Sequence, residues 1–424
     1  MDPTQGRPTP ADPGVSDPRR GVRRRAIARA VVVALAIVSI ATALAVGSRR
    51  DPGALRAEAE RLIQGEQYDR ADRLLDRIEA AGPPAPEDLI LRARVALGRG
   101  ESERARTLLH RVPDDFPSIG VAWLRTGQIE LRRHRFRQAE LALLESLRLD
   151  PSIDTARREL IYIYGYQLRR SAAREQFLAL ADPMRLLPSE VLVWCLLHRT
   201  SWNPEEAAAT LAKAVEADPE DRWSRVALVR NLITLVRLDE AARLLEPLPT
   251  SDPEAIALRV ELALERQDIE EAEAMLADAP EGHPQLDYVR GRLALARGQY
   301  PEAKQALESA LKAGPVDEEK VLRNLALALR RLGEDDRADQ AGERADALRR
   351  LYELVGQALG TDRSGDDATL YKRLGSACLA AGLRPEARSW FQLALGEDPL
   401  DDEARSGLLE AEALPPLGEG SSPG

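Results

Sequence analysis

Apolar side chains recur every three or four residues through FRQAELALLESLRLDP, residues 136–151, and the run stops at Asp-Pro. This is the pattern of a helix with one buried stripe, ended where proline withdraws a backbone donor. The same pattern recurs along the chain. Ala139 has counterparts at Ala71, Ala105, Ala173, Ala207 and Ala241, each 34 residues from the next. Four residues after each alanine stands a large apolar residue: Leu75, Leu109, Leu143, Phe177, Leu211 and Leu245. Twelve residues after it stands Pro83, Pro117, Pro151, Pro219 or Pro253, and the fourth copy has Pro183 two places early. Twelve residues before it the side chain is mostly small, as at Ala59, Ala93, Gly127 and Cys195. The series continues with slips of register at Ala272, Ala303, Ala338 and Ala387, making ten copies.

Each copy reads as two helices and a turn. An amphipathic stretch such as AWLRTGQIELRR comes first, then a turn that often holds glycine or opens on Pro-Glu. Proline suits the first turn of the second helix, and glutamate complements its positive end. The alanine is small where the two helices cross, and the large residue one turn later fills the gap. A single hairpin leaves its apolar face uncovered, so the copies are expected to stack as a one-dimensional array, each touching its neighbours.

A 34-residue helix–turn–helix of this composition resembles the tetratricopeptide repeat, over about 52–400. The resemblance implies an all-α fold, a right-handed α-α superhelix. It is weakest at the ninth copy. There Gly342 replaces the large residue and DDRADQAGERADALRRLYELVGQALG reads as one extended helix. Residues 401–413 read as a capping helix and 414–424 as a disordered tail.

The N-terminal 50 residues differ in character. Residues 1–29 are polar and end in arginines, whereas 30–47 carry no charge. As a helix this run spans roughly 27 Å, the thickness of a hydrocarbon core. We read 30–48 as a transmembrane helix. Arg19, Arg20, Arg23, Arg24, Arg25 and Arg29 precede it and only Arg49 and Arg50 follow. That bias places 1–29 in the cytoplasm and the body outside, as a single-pass protein of the inner membrane. A cleaved signal peptide is the alternative, with Ala43–Leu44–Ala45 as the cleavage motif.

Composition narrows the function classes. The 424-residue chain has a net charge of -10, although its first 50 residues are basic. An acidic body argues against nucleic acid as a partner. The sequence holds no phosphate-binding glycine loop, no zinc-protease or nucleophile-elbow motif, and no CxxC. We therefore expect no cofactor, no metal and no catalytic site. Cys195 and Cys378 read as packed thiols, and two cysteines so far apart give no disulfide framework readable from spacing. His110, His134, His198 and His283 stand apart from one another at helix ends or turns.

The resemblance also implies a concave face lined by the first helix of each copy. Offsets of 11, 8 and 7 residues before the alanines select Arg94, Gln128, Arg132, Tyr162, Tyr166, Arg199, Arg230 and Arg292. The asparagine that the family uses to clamp acidic C-terminal tails is replaced here by Gln128, Tyr162 and Arg230. The expectation is a membrane-anchored scaffold for protein or peptide partners, extended or helical segments bearing acidic and apolar residues. A docking subunit of an envelope enzyme or of a secretion or biosynthesis complex is the alternative, and an enzyme with an unrecognised site a remote third.

Overall fold

The computed structural model describes residues 51–181, 186–197, 199, 203–314, 317–360 and 367–413. The segments 1–50 and 414–424, with the expected anchor and tail, lie outside them. Every regular element among the described residues is an α-helix, twenty-one in all. None of these helices is long and apolar enough to cross a membrane. The chain divides into two units, one ending at Val112 and one beginning at Pro113.

The first unit holds α1 (Pro52–Gln64), α2 (Tyr68–Glu79), α3 (Pro86–Arg99) and α4 (Ser102–Leu109). Proline opens α1 and α3, and the Asp51 side chain accepts from the Gly53 N–H at the start of α1. Ala59, Ala71, Leu75, Ile78, Leu91 and Val95 form the core between α1, α2 and α3. Arg92 is buried and donates to Asp72, Asp76 and Glu79 across α2.

The second unit begins with the hairpins α5 (Ile119–Arg132) with α6 (Phe136–Leu149) and α7 (Asp154–Tyr166) with α8 (Arg170–Ala181). Next come α9 (Pro188–Leu196), α10 (Pro204–Ala217), α11 (Arg222–Thr234), α12 (Leu238–Leu245), α13 (Pro253–Glu265) and α14 (Ile269–Leu276). Then follow α15 (Pro284–Ala296), α16 (Tyr300–Ala313), α17 (Glu318–Arg331) and α18 (Asp335–Gly360). The unit finishes with α19 (Asp367–Ala380), α20 (Arg384–Glu397) and α21 (Asp402–Ala413). The stretch read as one extended helix is one, the 26-residue α18.

The hairpin packing follows the periodic residues. Ala71, Ala105, Ala139, Ala173, Ala241, Ala272, Ala303, Ala338 and Ala387 are fully enclosed. The small residue of the first helix faces the large residue of the second. A Cβ added at Gly127 would lie 2.6 Å from Leu143 Cγ, and one at Gly291 the same distance from Leu307 Cγ. At Gly375 it would lie 2.8 Å from the Phe391 ring. These side chains fill the space a β-carbon would need, as expected of a close-packed interior. The turn has its own rule. Five residues before each enclosed alanine the backbone is left-handed: Glu66, Gly100, His134, Leu168, Val236, Gln267, Gly298, Gly333 and Gly382 all have positive φ.

The fifth copy breaks the pattern. In α10 the enclosed residues are Ala208, Leu211 and Ala214, while Ala207 is only half-buried. Its expected first helix, α9, packs instead on α18 and α20, far along the chain. Trp194 stacks on Phe177 of α8 with centroids 5.2 Å apart, and the Trp390 indole of α20 donates to Cys195 Sγ at 3.4 Å. The expectation that each hairpin touches only its neighbours is corrected here. A wide apolar face of Val191, Leu192, Trp194 and Cys195 needs cover on several sides, and the later helices supply it.

Candidate partner-binding surface

The eight residues selected by offset fall into distinct settings. Tyr162 and Tyr166 stand one turn apart on α7, so they share a face. Their ring centroids are 4.8 Å apart, and each lies 6.3 Å from the ring of Phe136 on α6. Phe136 is buried, Tyr166 half-buried and Tyr162 43% exposed. The result is an aromatic step that rises from the core to the surface. Burial and the neighbouring Tyr166 push the Tyr162 phenol up to about 12, so it stays a neutral donor at physiological pH. On the adjoining α5, Gln128 donates to Glu159 of α7 at 3.0 Å. Arg132 closes the last turn of α5, exposed and in no ion pair among the described residues.

Three of the selected arginines are held by glutamates of a neighbouring first helix. Arg94, in the first unit, reaches Glu60 at 2.9 Å. Arg230 reaches Glu254 at 2.9 Å. Arg292 reaches Glu265 at 2.9 Å and Glu261 at 3.6 Å, and its guanidinium lies 5.9 Å from the Tyr288 ring centroid. Each spans two helices and neutralises the charge that sequence offset alone assigns to the inner face. Arg199 lies 5.7 Å over the ring of Tyr352, on α18.

Apart from Arg230, the offsets did not select the polar centre of the second unit. Gln167, Arg169, Arg170, Trp223, Arg230 and Glu254 line a cavity of about 240 Å³. A smaller one shares Arg170 and Arg230 and adds Tyr288, Asp317 and Lys320. Arg169 pairs with Glu140 at 2.6 Å and lies over both Tyr164 and Trp223, at 4.5 and 5.0 Å. Arg170 is buried and donates to the Arg199 carbonyl at 3.1 Å. Burial, with Arg230 nearby, brings its guanidinium down to about 10, still charged at neutral pH. A buried trio organises the α7–α11 junction: Gln167 donates to Asp221 at 3.2 Å and to Ser224 at 3.2 Å. Asp221 also accepts from the Ser224 N–H and so caps α11. Of these residues, only the Asp221 cap carried a local sequence signal, three residues ahead of its partner.

The described residues contain no group of three or more His, Cys, Asp and Glu side chains set to hold a metal ion. The surfaces described offer aromatic contact, amide and guanidinium donors, and carboxylates such as Glu159 and Glu254 that are held by them.

Two family models, both described as tetratricopeptide repeat, match this chain. One matches residues 203–259. The other matches 90–154, 288–350 and 336–402, and the matched segments together cover more than half of the sequence. No curated protein matches the chain. Among solved structures, the chain is similar to a tetratricopeptide repeat protein from Parabacteroides merdae, at 17% identity. That match covers 57% of this chain and 98% of that one, with a TM-score of 0.30. It is also similar to the APC/C hetero-tetramer Cut9–Hcn1, at 13% identity over 88% of this chain and 98% of that one, TM-score 0.32. A third is Naa15/Naa10 bound to HypK-THB, at 15% identity over 85% of this chain and 65% of that one, TM-score 0.28.

Proposed function

We propose that this chain, which belongs to the tetratricopeptide repeat family, is a membrane-anchored scaffold that holds protein partners on the α5–α7 face. The observation that carries this reading is the Phe136–Tyr166–Tyr162 step, with its outermost ring exposed. Tyrosine gives rigid apolar contact with a polar tip at low entropic cost, and with arginine it anchors many interfaces. Arg132 supplies a cation on the neighbouring helix. The partner is an extended or helical protein segment that brings an apolar residue to Tyr162 and a carboxylate to Arg132. The arginines already bound to glutamate contribute to the fold and less to capture.

The anchor belongs to the same proposal. The uncharged run 30–47 and the six arginines before it support a span with its N-terminus in the cytoplasm and the repeats outside. A reporter that works only outside the cytoplasm, fused after Ala54, is expected to be active. Activity of a cytoplasm-only reporter there overturns the topology.

The face is tested with Tyr162→Ala combined with Arg132→Glu in the full chain. Partner capture from solubilised envelope is expected to fall at least tenfold. The melting temperature is expected to fall by no more than about five degrees, since Tyr162 loses its contacts with Phe136 and Tyr166 while Arg132 is exposed. Unchanged capture by a folded double variant refutes the face.

A further inference from the structure

We propose that Cys195 and Cys378 form an intrachain disulfide that ties α9 to α19. The proposal rests on the extracytoplasmic placement above, since such cross-links persist in oxidising compartments. These are the only two cysteines in 424 residues. They stand 183 positions apart, yet the fold brings their Sγ atoms within 3.6 Å. Both side chains are fully buried, and the Trp390 N–H holds Cys195 Sγ from the other side at 3.4 Å. A covalent S–S bond is about 2.05 Å long, so the sulfurs need approach by only about 1.5 Å, shared between two side chains. The location gives the bond a purpose. Helix α9 has left the stack beside α10, and its contacts run to the far end of the unit. Among the described residues those contacts are largely apolar packing. One cross-link there fixes the closure of the unit.

Both sulfurs are enclosed, and burial pushes the Cys378 thiol up, so an oxidant does not reach the folded pair. The bond therefore forms while the chain folds. One cysteine thiolate attacks the disulfide of a dithiol oxidant or of oxidised glutathione, forming a mixed disulfide and releasing one oxidant thiolate. The second cysteine thiolate then displaces the remaining oxidant sulfur and closes the S–S bond. The chain loses two electrons to the oxidant, and the two cysteine protons end on its thiols.

The test refolds the full chain from denaturant with oxidised and reduced glutathione at oxidising ratios, then counts free thiols after denaturation with a maleimide. Loss of both thiols is expected, with one cross-linked peptide joining Cys195 to Cys378 in the digest. Reductant is expected to lower the melting temperature of this oxidised chain by several degrees. The Cys195→Ala/Cys378→Ala variant is expected to melt alike with and without reductant. Two free thiols in the refolded chain, or cross-links only between molecules, overturn the proposal. Cross-linking on refolding with free thiols in chain taken from cells supports the pair and refutes the extracytoplasmic placement instead.

Discussion

Val236 occupies a backbone position that its side chain disfavours. It ends the α11 turn at φ 59°, and three-quarters of it faces solvent. A left-handed conformation costs an L-residue about 1–2 kcal/mol, with β-branched residues at the upper end. Glycine carries no such penalty but loses about 0.5–1 kcal/mol more conformational freedom on folding. Little packing is lost with an exposed valine, so Val236→Gly is expected to stabilise the second unit by about 0.5–1 kcal/mol. With a urea slope of about 3 kcal/mol/M, the midpoint should rise by about 0.2–0.3 M. Four other turns provide the control, because glycine already holds the equivalent place at Gly100, Gly298, Gly333 and Gly382. A Cβ at Gly333 meets nothing within 4 Å, so Gly333→Val isolates the backbone term. The same two terms with the sign reversed give a cost of about 0.5–1 kcal/mol. Urea denaturation followed by circular dichroism measures both. A midpoint that falls in Val236→Gly while Gly333→Val is neutral refutes the argument that turn geometry governs these positions.

Gly127→Ala forces its new methyl against Leu143 and should cost about 1–3 kcal/mol, as overpacked cores do. Adding Leu143→Ala should make the pair cost less than the sum of the two single changes, a coupling that a double-mutant cycle in urea detects. The acid limb of stability should report on Asp252. Burial alone would raise its carboxyl, but hydrogen bonds from Arg222 and from the Glu254 N–H outweigh it and hold the carboxyl below the usual range. The unfolded chain therefore takes up this proton first. The stability it lends is present above the ordinary aspartate pKa and is lost as pH falls through the depressed value. Asp252→Asn keeps a capping oxygen but no charge. It should lose about 1–2 kcal/mol at pH 7 and show a flatter loss below pH 4, measured by melting temperature against pH.

What the sequence revealed depended on the range of the interaction. Alanine and its large partner four residues later lie within one hairpin, so periodicity exposes their packing directly. The left-handed turn residue was visible only where it is glycine; His134, Leu168, Val236 and Gln267 take the same conformation without advertising it. The inner-face offsets identify a face but not what stands opposite. Arg230 and Glu254 are 24 residues apart, and nothing local says that one neutralises the other. The displacement of α9 lay beyond a repeat-based reading, which assumes that the next helix is the next neighbour. Its wide apolar face was the available signal, hidden because Cys195 fits the small position of the repeat. The Tyr162–Tyr166 pair was readable because both residues sit on one helix.

The position of α9 sets a clock on synthesis. Cys195 and Trp390, which meet in the folded unit, are 195 residues apart. At about 5–20 residues per second, some 10–40 s pass between the making of α9 and the making of α20, which covers it. Through that interval Val191, Leu192 and Trp194 lack part of their native surroundings. Stacked neighbours alone could settle one after another as they emerged. Part of the cover of α9 is missing until α18 and α20 have been made, so the unit's most aggregation-exposed interval lasts until those two helices arrive.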